Sequence, residues 1–463
     1  MYLADTIVAP ATPPGSGAVA IVRLSGPRAI EIALELWRPL RAGAAARAAR
    51  VLRLGEIRDP ASGAPIDRAL LAIFPAPNSF TGEHVAELQC HGGRYLVRRI
   101  VALAAGRGAR PAEPGEFTRR AFLNGRVDLT EAEAIADLVS ARGDAALGQA
   151  LEHLSGALVR RVEGLRHQTI ALRARLEAEI DFADEDISLP SRADFTRAID
   201  ALGADLRALL DTFRRGRIVR DGARAAIIGK PNAGKSSLLN LLLGSDRAIV
   251  TPIPGATRDV IEEAVALGPI PLILADTAGL RPGADPVESI GIERARRAAA
   301  SADLLIAVFD GSRPFDSDDA EVIALAAGRR GLALLNKRDL PPRLAAEELR
   351  ARGLTLPVTD FCALADDQLD ALRARLAELV ATLAGDPDPD FARVTISRER
   401  HRAALDSALA ALAEARASAV AAMPPEIVAV DIAAAAEALG AITGVVATED
   451  ILDLIFREFC IGK

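Results

Sequence analysis

A chain of 463 residues is longer than one ordinary hydrophobic core accommodates, so two to four domains are expected. Half its residues are apolar and only 3% are aromatic, which suits Ala/Leu-rich helices and argues against a surface built for stacking bases. The formal net charge of -7 excludes a whole-molecule electrostatic grip on nucleic acid and leaves only a local or shared contact.

The start, MYLADTIVAPATPPG, has no basic segment followed by an apolar one, and no run of eighteen apolar residues occurs, so a cytoplasmic protein with no membrane span is expected. Residues 1–118 mix strand-like runs (Ala18 to Leu24, Ala69 to Phe74, Val85 to Cys90) with helix-like ones (Arg28 to Trp37, Tyr95 to Ala105). Turn signals at Pro13-Pro14-Gly15 and His91-Gly92-Gly93 separate them, which predicts an α+β domain. His84 and His91 lack metal-ligand spacing and read as loop or core histidines. Cys90, Cys362 and Cys460 are far apart and form no C-x-x-C pair, which argues against a disulfide framework or a thiolate zinc site.

From Leu129 to about Ile180 apolar residues recur at three, four or seven residue steps, so residues 119–215 are read as the first part of a helical domain. The acidic cluster Asp181, Asp184, Glu185, Asp186 reads as a solvated loop rather than a metal site. After a helix near Asp194 to Phe213, residues 216–378 alternate strand-like runs (Leu272 to Ala275, Leu304 to Phe309, Leu332 to Leu335) with helices, the rhythm of an α/β domain with a parallel sheet. The Asp386 to Asp390 stretch, alternating with proline, is a linker. Helices resume over Ser397 to Ala421 and from Ile427 onward, so residues 379–463 are the second part of the helical domain and 216–378 is inserted into it.

The α/β segment carries GKPNAGKS, Gly229 to Ser236, between two apolar runs, and fits the phosphate-binding loop G-x-x-x-x-G-K-[ST]. Gly229 and Gly234 let backbone N–H groups, including those of Ala233 and Ser237, turn toward a polyphosphate at the head of the following helix. Lys235 reaches the β/γ oxygens, and the Ser236 hydroxyl offers a hard ligand to Mg²⁺. Further on, Asp276-Thr277-Ala278-Gly279 ends an apolar strand, and Thr257 in TPIPGATRD is placed to sense Mg²⁺. Asn336-Lys337-Arg338-Asp339 ends another strand, where the Asp339 carboxylate can accept the two donors that guanine presents and adenine does not. Together, and in this order, these motifs predict GTP binding. Leu280 follows the DTAG motif where small GTPases commonly carry a glutamine that orients water, so other help is needed. Asn232 in G-x-P-N-x-G-K-S points to a monovalent cation beside the phosphates.

The chain resembles, end to end, the family of tRNA-modification GTPases called MnmE or TrmE. The likeness is carried by Asp5 to Gly26, Pro77 to Gly93, Pro114 to Leu138, the GTP motifs and the terminal FCIGK. It implies an N-terminal folate-binding and dimerising domain, a helical domain and an inserted P-loop, Ras-like G domain. It also implies GTP, Mg²⁺, K⁺ and 5-formyl- or 5,10-methylene-tetrahydrofolate as cofactors, a homodimer, and a flavoprotein partner, MnmG, in a heterotetramer. The pair would install an aminomethyl or carboxymethylaminomethyl group at C5 of the wobble uridine of certain tRNAs.

By position the resemblance places folate at Arg23, Glu87, Lys463 and Arg126, the last standing where lysine is frequent. It ties Cys460 to the modification chemistry and Glu288 to the water that attacks GTP. K⁺ would be held by Asn232 and the carbonyls of Thr251 and Ile253, with Ala256 at a fourth position where threonine is usual. Pro252, Pro254 and Gly255 complete that nucleotide loop, Arg281 is a plausible switch residue, and Cys362-Ala363 stands for the usual Ser-Ala pair beneath guanine. A ribosome-assembly GTPase would share the phosphate loop and Asn232 but should add a basic RNA-binding appendage, which the acidic balance does not suggest.

Overall fold

Alternation of buried and half-exposed residues along Gly17–Ser25 and Val85–Gly92 gives each strand one face to cover, and a seven-stranded sheet forms on those faces. In the computed structural model, which describes residues 5–40, 49–181, 192–244, 263–274, 296–364, 368–385, 394–446, 448–457, 459 and 461–463, the sheet contains β1 (Thr6–Pro10), β2 (Gly17–Ser25), β3 (Trp37–Pro39), β4 (Arg53–Arg58), β5 (Pro65–Phe74), β6 (Val85–Gly92) and β7 (Ala109–Pro111). Their order is β3-β4-β5-β6-β2-β1-β7, antiparallel except where β7 runs parallel to β1. Helices Ala29–Leu36 and Arg94–Ala105 supply Ile32, Leu36, Ile100 and Ala104 to a core shared with Val22, Leu24, Leu71 and Leu88. Strands β1, β3, β4 and β7 are absent from the sequence reading; β3 and β7 are three residues long, too short for a period of two to register.

The contacts divide the chain into two units, Met1–Ala136 with Thr443–Lys463, and Asp137–Ile442. In the first, helix Glu449–Arg457 joins Leu452, Ile455 and Phe456 to Leu129, Ala132 and Phe459. The segment Thr443–Lys463, read from sequence as the tail of the helical portion, thus groups by contact with the N-terminal residues.

In the second unit, helices Ala157–Asp181, Arg192–Asp211, Glu399–Val420 and Pro425–Thr443 share one core, with Leu158, Leu165, Ile199 and Leu206 packed among Leu405, Leu412, Ile432 and Leu439. Helices that precede and follow the nucleotide segment therefore meet. Between them in sequence lies a six-stranded sheet of β8 (Ala223–Ile228), β9 (Glu263–Val265), β10 (Leu272–Leu274), β11 (Leu304–Asp310), β12 (Gly331–Asn336) and β13 (Val358–Asp360). Its order is β13-β12-β11-β8-β10-β9, parallel throughout except at β9. Every residue of β11 and β12 is buried, as a parallel sheet covered on both faces requires. The predicted helical run from Leu129 is three helices, Leu129–Ser140, Asp144–Leu154 and Ala157–Asp181, and the run from Ile427 breaks after Thr443. Gly156 and Gly444, both in left-handed backbone, mark two of these breaks.

Candidate nucleotide site and N-terminal pocket

β8 is flanked by β11 on one side and β10 on the other, so the chain leaves its carboxyl end at the crevice where parallel sheets of this kind receive ligands. The loop Gly229 to Gly234 follows, and helix Lys235–Gly244 begins at once. Asn232 adopts φ 62° and Gly234 φ 106°, so the loop is wound through left-handed backbone. A Cβ on Gly234 would stand 2.0 Å from Asn336 Nδ2, which only glycine tolerates.

That close approach has a purpose visible in the hydrogen bonds. Asn336, buried at the end of β12, donates from Nδ2 to the Ala233 carbonyl at 2.8 Å and accepts at Oδ1 from the Ala363 N–H at 3.0 Å. One carboxamide thus joins the phosphate loop, the NKRD loop and the Cys362-Ala363 loop. The amide of Ala363, in the pair expected beneath guanine, is engaged by Asn336 in this arrangement. Cys362 Sγ lies 3.3 Å from Asp339 Oδ1 and can donate to it, while the rest of Asp339 is exposed.

Lys235 Nζ donates to the carbonyls of Gly229 at 2.7 Å and Lys230 at 2.8 Å and has no carboxylate partner among the described residues. Burial lowers the pKa of this ammonium below its ordinary value. A cation half-shielded from water and held only by dipoles is a seat for an anion. The side chains of Asn232 and Ser236 have no hydrogen-bond partner among the described residues, which leaves both free as ligands, and this donor set of amide and hydroxyl oxygens fits hard cations.

Three carboxylates beneath the site escaped the sequence reading. Asp310, at the end of β11, binds Lys337 Nζ at 2.7 Å; burial pulls its carboxyl upward, but Lys337 and Ser312 hold it below its ordinary pKa. Lys230 Nζ binds Asp316 and Asp319, each at 2.8 Å. Burial opposes the charge on Lys230, yet the two carboxylates keep its pKa raised; for the fully buried Asp319, burial wins and the pKa is raised. Only an unmotivated lysine inside a glycine-rich loop could have signalled the pairing.

In the N-terminal unit, Arg23 on β2 and Glu87 on β6 face each other in register, with Nε to Oε1 at 2.9 Å. The same guanidinium donates to the Gly462 carbonyl at 3.4 Å and lies over the Phe117 ring, 5.7 Å from its centroid. The Phe117 N–H donates to the Lys463 carbonyl at 3.2 Å. Arg23, Glu87 and the Lys463 backbone are thereby gathered by two strands, helix Glu116–Leu123 and the chain terminus. Arg126 packs its stem on Gly82, where a Cβ would stand 3.3 Å from Arg126 Cγ. Phe117 and Gly462 were not anticipated. His84 Nδ1 accepts from the Ala76 N–H and His91 bonds to Asp67, local contacts of a structural kind. Burial and the nearby Asp67 push the Cys90 thiol up to about 11, which leaves it protonated.

Thr251 to Thr257, Asp276 to Gly279, Leu280, Arg281, Glu288, Cys460, the acidic residues Asp184 to Asp186 and the Asp386 to Asp390 linker lie outside the described residues. Among the described residues no helix is long and apolar enough to cross a membrane.

Comparison with known proteins agrees with this architecture. A profile described as the GTP-binding protein TrmE N-terminus matches residues 6–126, and one described as the MnmE helical domain matches residues 129–460. Proteins named tRNA modification GTPase MnmE are 47% identical in Rhodospirillum rubrum, 44% in Syntrophotalea carbinolica and 39% in Natranaerobius thermophilus, each over 99% of both chains. Among solved structures, the G domain of the T. maritima FeoB iron transporter aligns with 34% of this chain and 99% of its own at 22% identity, with a TM-score of 0.26 that adds nothing to the fold argument. On full-length identity to such relatives, with profiles spanning nearly every residue, the chain belongs to the tRNA modification GTPase MnmE family.

Proposed function

We propose that this chain is a K⁺-activated GTP hydrolase that works with the flavoprotein MnmG. Together they add an aminomethyl or carboxymethylaminomethyl group to C5 of the wobble uridine of certain tRNAs, drawing on a tetrahydrofolate one-carbon unit. The observation that carries the GTP half is the Lys235 ammonium, half-buried without a carboxylate at the head of a helix and beside Asn232 and Ser236, whose side chains have no partner among the described residues. Family membership carries the tRNA half.

In this reading Lys235 spreads positive charge over the β/γ oxygens, and the N–H groups from Asn232 to Ser237 wrap the phosphates. Ser236 and Thr257 hold Mg²⁺, while Asn232, the Thr251 and Ile253 carbonyls and the loop at Ala256 hold K⁺. Asp339 accepts from the guanine edge, with Asn336 and Lys337 bracing it. Glu288 orients the attacking water. The bound cations supply fixed positive charge where negative charge develops in the transition state, the part a glutamine or an arginine plays elsewhere.

The N-terminal pocket is the folate site of this proposal, with Arg23, Glu87, Arg126 and Lys463. Glu87 spends Oε1 on Arg23, and its Oε2 has no partner among the described residues, which suits the donor edge of a pterin. Residues 1–118, joined by Arg126 and the chain terminus, then bind folate and dimerise, 216–378 hydrolyse GTP, and the helices of 119–215 and 379–463 connect the two. Cys460 takes part in the modification chemistry, the protein is cytoplasmic, and tRNA is shared with the partner.

GTP turnover by the full chain in K⁺ against Na⁺ tests the first half. An acceleration of about tenfold or more in K⁺ is expected, and equal rates would remove K⁺ from the mechanism. Binding of a reduced folate to the full chain, lost in Glu87→Ala, tests the second. GTP turnover without any folate binding favours a ribosome-assembly role instead.

A further inference from the structure

Lys230 and Lys337 belong to the two loops that would meet a nucleotide at opposite ends, and both are held by carboxylates from one stretch of chain, Asp310–Asp319. That stretch contains none of the nucleotide motifs. Asp310 is 2% exposed; its Oδ2 takes Lys337 Nζ, and its Oδ1 accepts from the Ser312 N–H at 3.0 Å and hydroxyl at 2.6 Å. Asp316 caps helix Ser317–Ala326, accepting at Oδ1 from the N–H groups of Asp318 and Asp319, and offers Oδ2 to Lys230. Asp319, with no exposure, gives Oδ2 both to Lys230 and to the Asp316 N–H. The carbonyl of Lys230 in turn accepts from Lys235 Nζ at 2.8 Å.

The connection therefore runs from Lys337 to Asp310 by one ion pair, along the backbone to Asp316 and Asp319, and from these to Lys230, whose carbonyl meets Lys235. An exposed ion pair would add little to such a link. The Lys230–Asp319 pair is buried and Asp310 is buried against a half-buried Lys337, whereas Asp316 is exposed; removing Lys230 or Lys337 leaves a desolvated carboxylate that the neighbouring backbone must move to accommodate. Lys337 holds φ 67° and Asn232 φ 62°, so each loop has a strained residue whose geometry depends on its anchors.

We propose that the Asp310–Asp319 connection is a staple that couples guanine recognition to the geometry of the phosphate loop, with Lys230, Asp310, Asp316 and Asp319 as positioning residues. The proposal rests on the reading of this crevice as a GTP site. Neither the phosphate-loop pattern nor the NKRD motif includes the connection.

Dissociation constants for GDP and IDP, which differ only in the guanine amino group, separate coupling from simple loss of affinity. In the full chain with Mg²⁺ and K⁺, Lys230→Met is expected to lower the preference for GDP over IDP by about threefold or more, and Lys230→Arg to restore it. If Lys230→Met does not fold, Asp310→Asn, which keeps the shape, serves in its place: its preference for GDP over GMP, a property of the phosphate loop, should fall by a similar factor. Equal proportional losses for the two ligands compared overturn the staple. A wild-type chain that binds no guanine nucleotide overturns the GTPase reading itself and the staple with it.

Discussion

Two of the four non-glycine residues with positive φ among the described residues, Asn232 and Lys337, fall in the nucleotide loops, where left-handed backbone is retained because the surroundings over-determine it. Between them Gly234 meets Asn336 so closely that even one methyl group has no room. Gly234→Ala is expected to weaken GDP binding at least tenfold, or about 1.4 kcal/mol, in a fluorescence titration, and to lower the unfolding midpoint as well. Cys362 makes a contrasting case. Its thiol is a weak donor toward Asp339, and a serine hydroxyl would form a shorter, charge-assisted bond. Cys362→Ser should therefore tighten GDP about threefold, roughly 0.6 kcal/mol; looser binding would show that the thiol fits this loop better than serine. The glycines and lysine of the phosphate loop were legible in sequence because their spacing encodes a local backbone path. The partners of Lys230 and Lys337 were not, since ion pairs between residues 27 and 89 positions apart leave no local pattern.

Periodicity served well where an element covers a single face over several turns. Helix Arg94–Ala105, helix Glu399–Val420 and strands β2, β5, β6, β11 and β12 were all readable within a few residues of their ends. What a stripe of leucines cannot disclose is the surface it will meet. Helix Glu449–Arg457 illustrates the point: its apolar face, with Phe456 beside Phe459 at 5.4 Å between ring centroids, packs on Leu129 and Ala132. Phe456→Ala should cost about 3–5 kcal/mol of local stability, read as a lower first transition in thermal unfolding, and should weaken reduced-folate binding more than GTP turnover. Loss of both activities together would mean that the two units unfold as one.

At the scale of the whole molecule, the N-terminal unit depends on a partly buried ionic network as well as on its core. Arg120, 1% exposed, binds Asp5, Glu83 and Glu116, and Arg110 binds Asp5 and Glu116. Burial raises the pKa of Asp5 and Glu116, but hydrogen bonds from Arg110 and Arg120 outweigh it and hold both below their ordinary values. Groups whose folded pKa is depressed contribute stability above the unfolded value, and that contribution is lost as pH falls through the folded one. Unfolding followed by circular dichroism should accordingly steepen below about pH 4, and Arg120→Met should both flatten that dependence and cost about 3 kcal/mol or more. The broad plan, an α/β segment set into a helical one behind an α+β start, was legible from composition shifts and motif order. The close union of the last twenty-one residues with the first 136 was not, because proximity of chain ends has no signature in local composition.

The carboxamide of Asn336 gives one loop a donor and another an acceptor from the same planar group. Among the twenty amino acids no second side chain of that length presents both polarities, so the position has no chemical synonym. Aspartate matches its outline and would set two oxygens against each other at Ala233; leucine matches its bulk and offers neither. A lineage can drift at a packed leucine by trading one hydrocarbon for another. At Asn336 every single step leads downhill, so natural variants of this chain should keep the residue even where the leucines around it have changed.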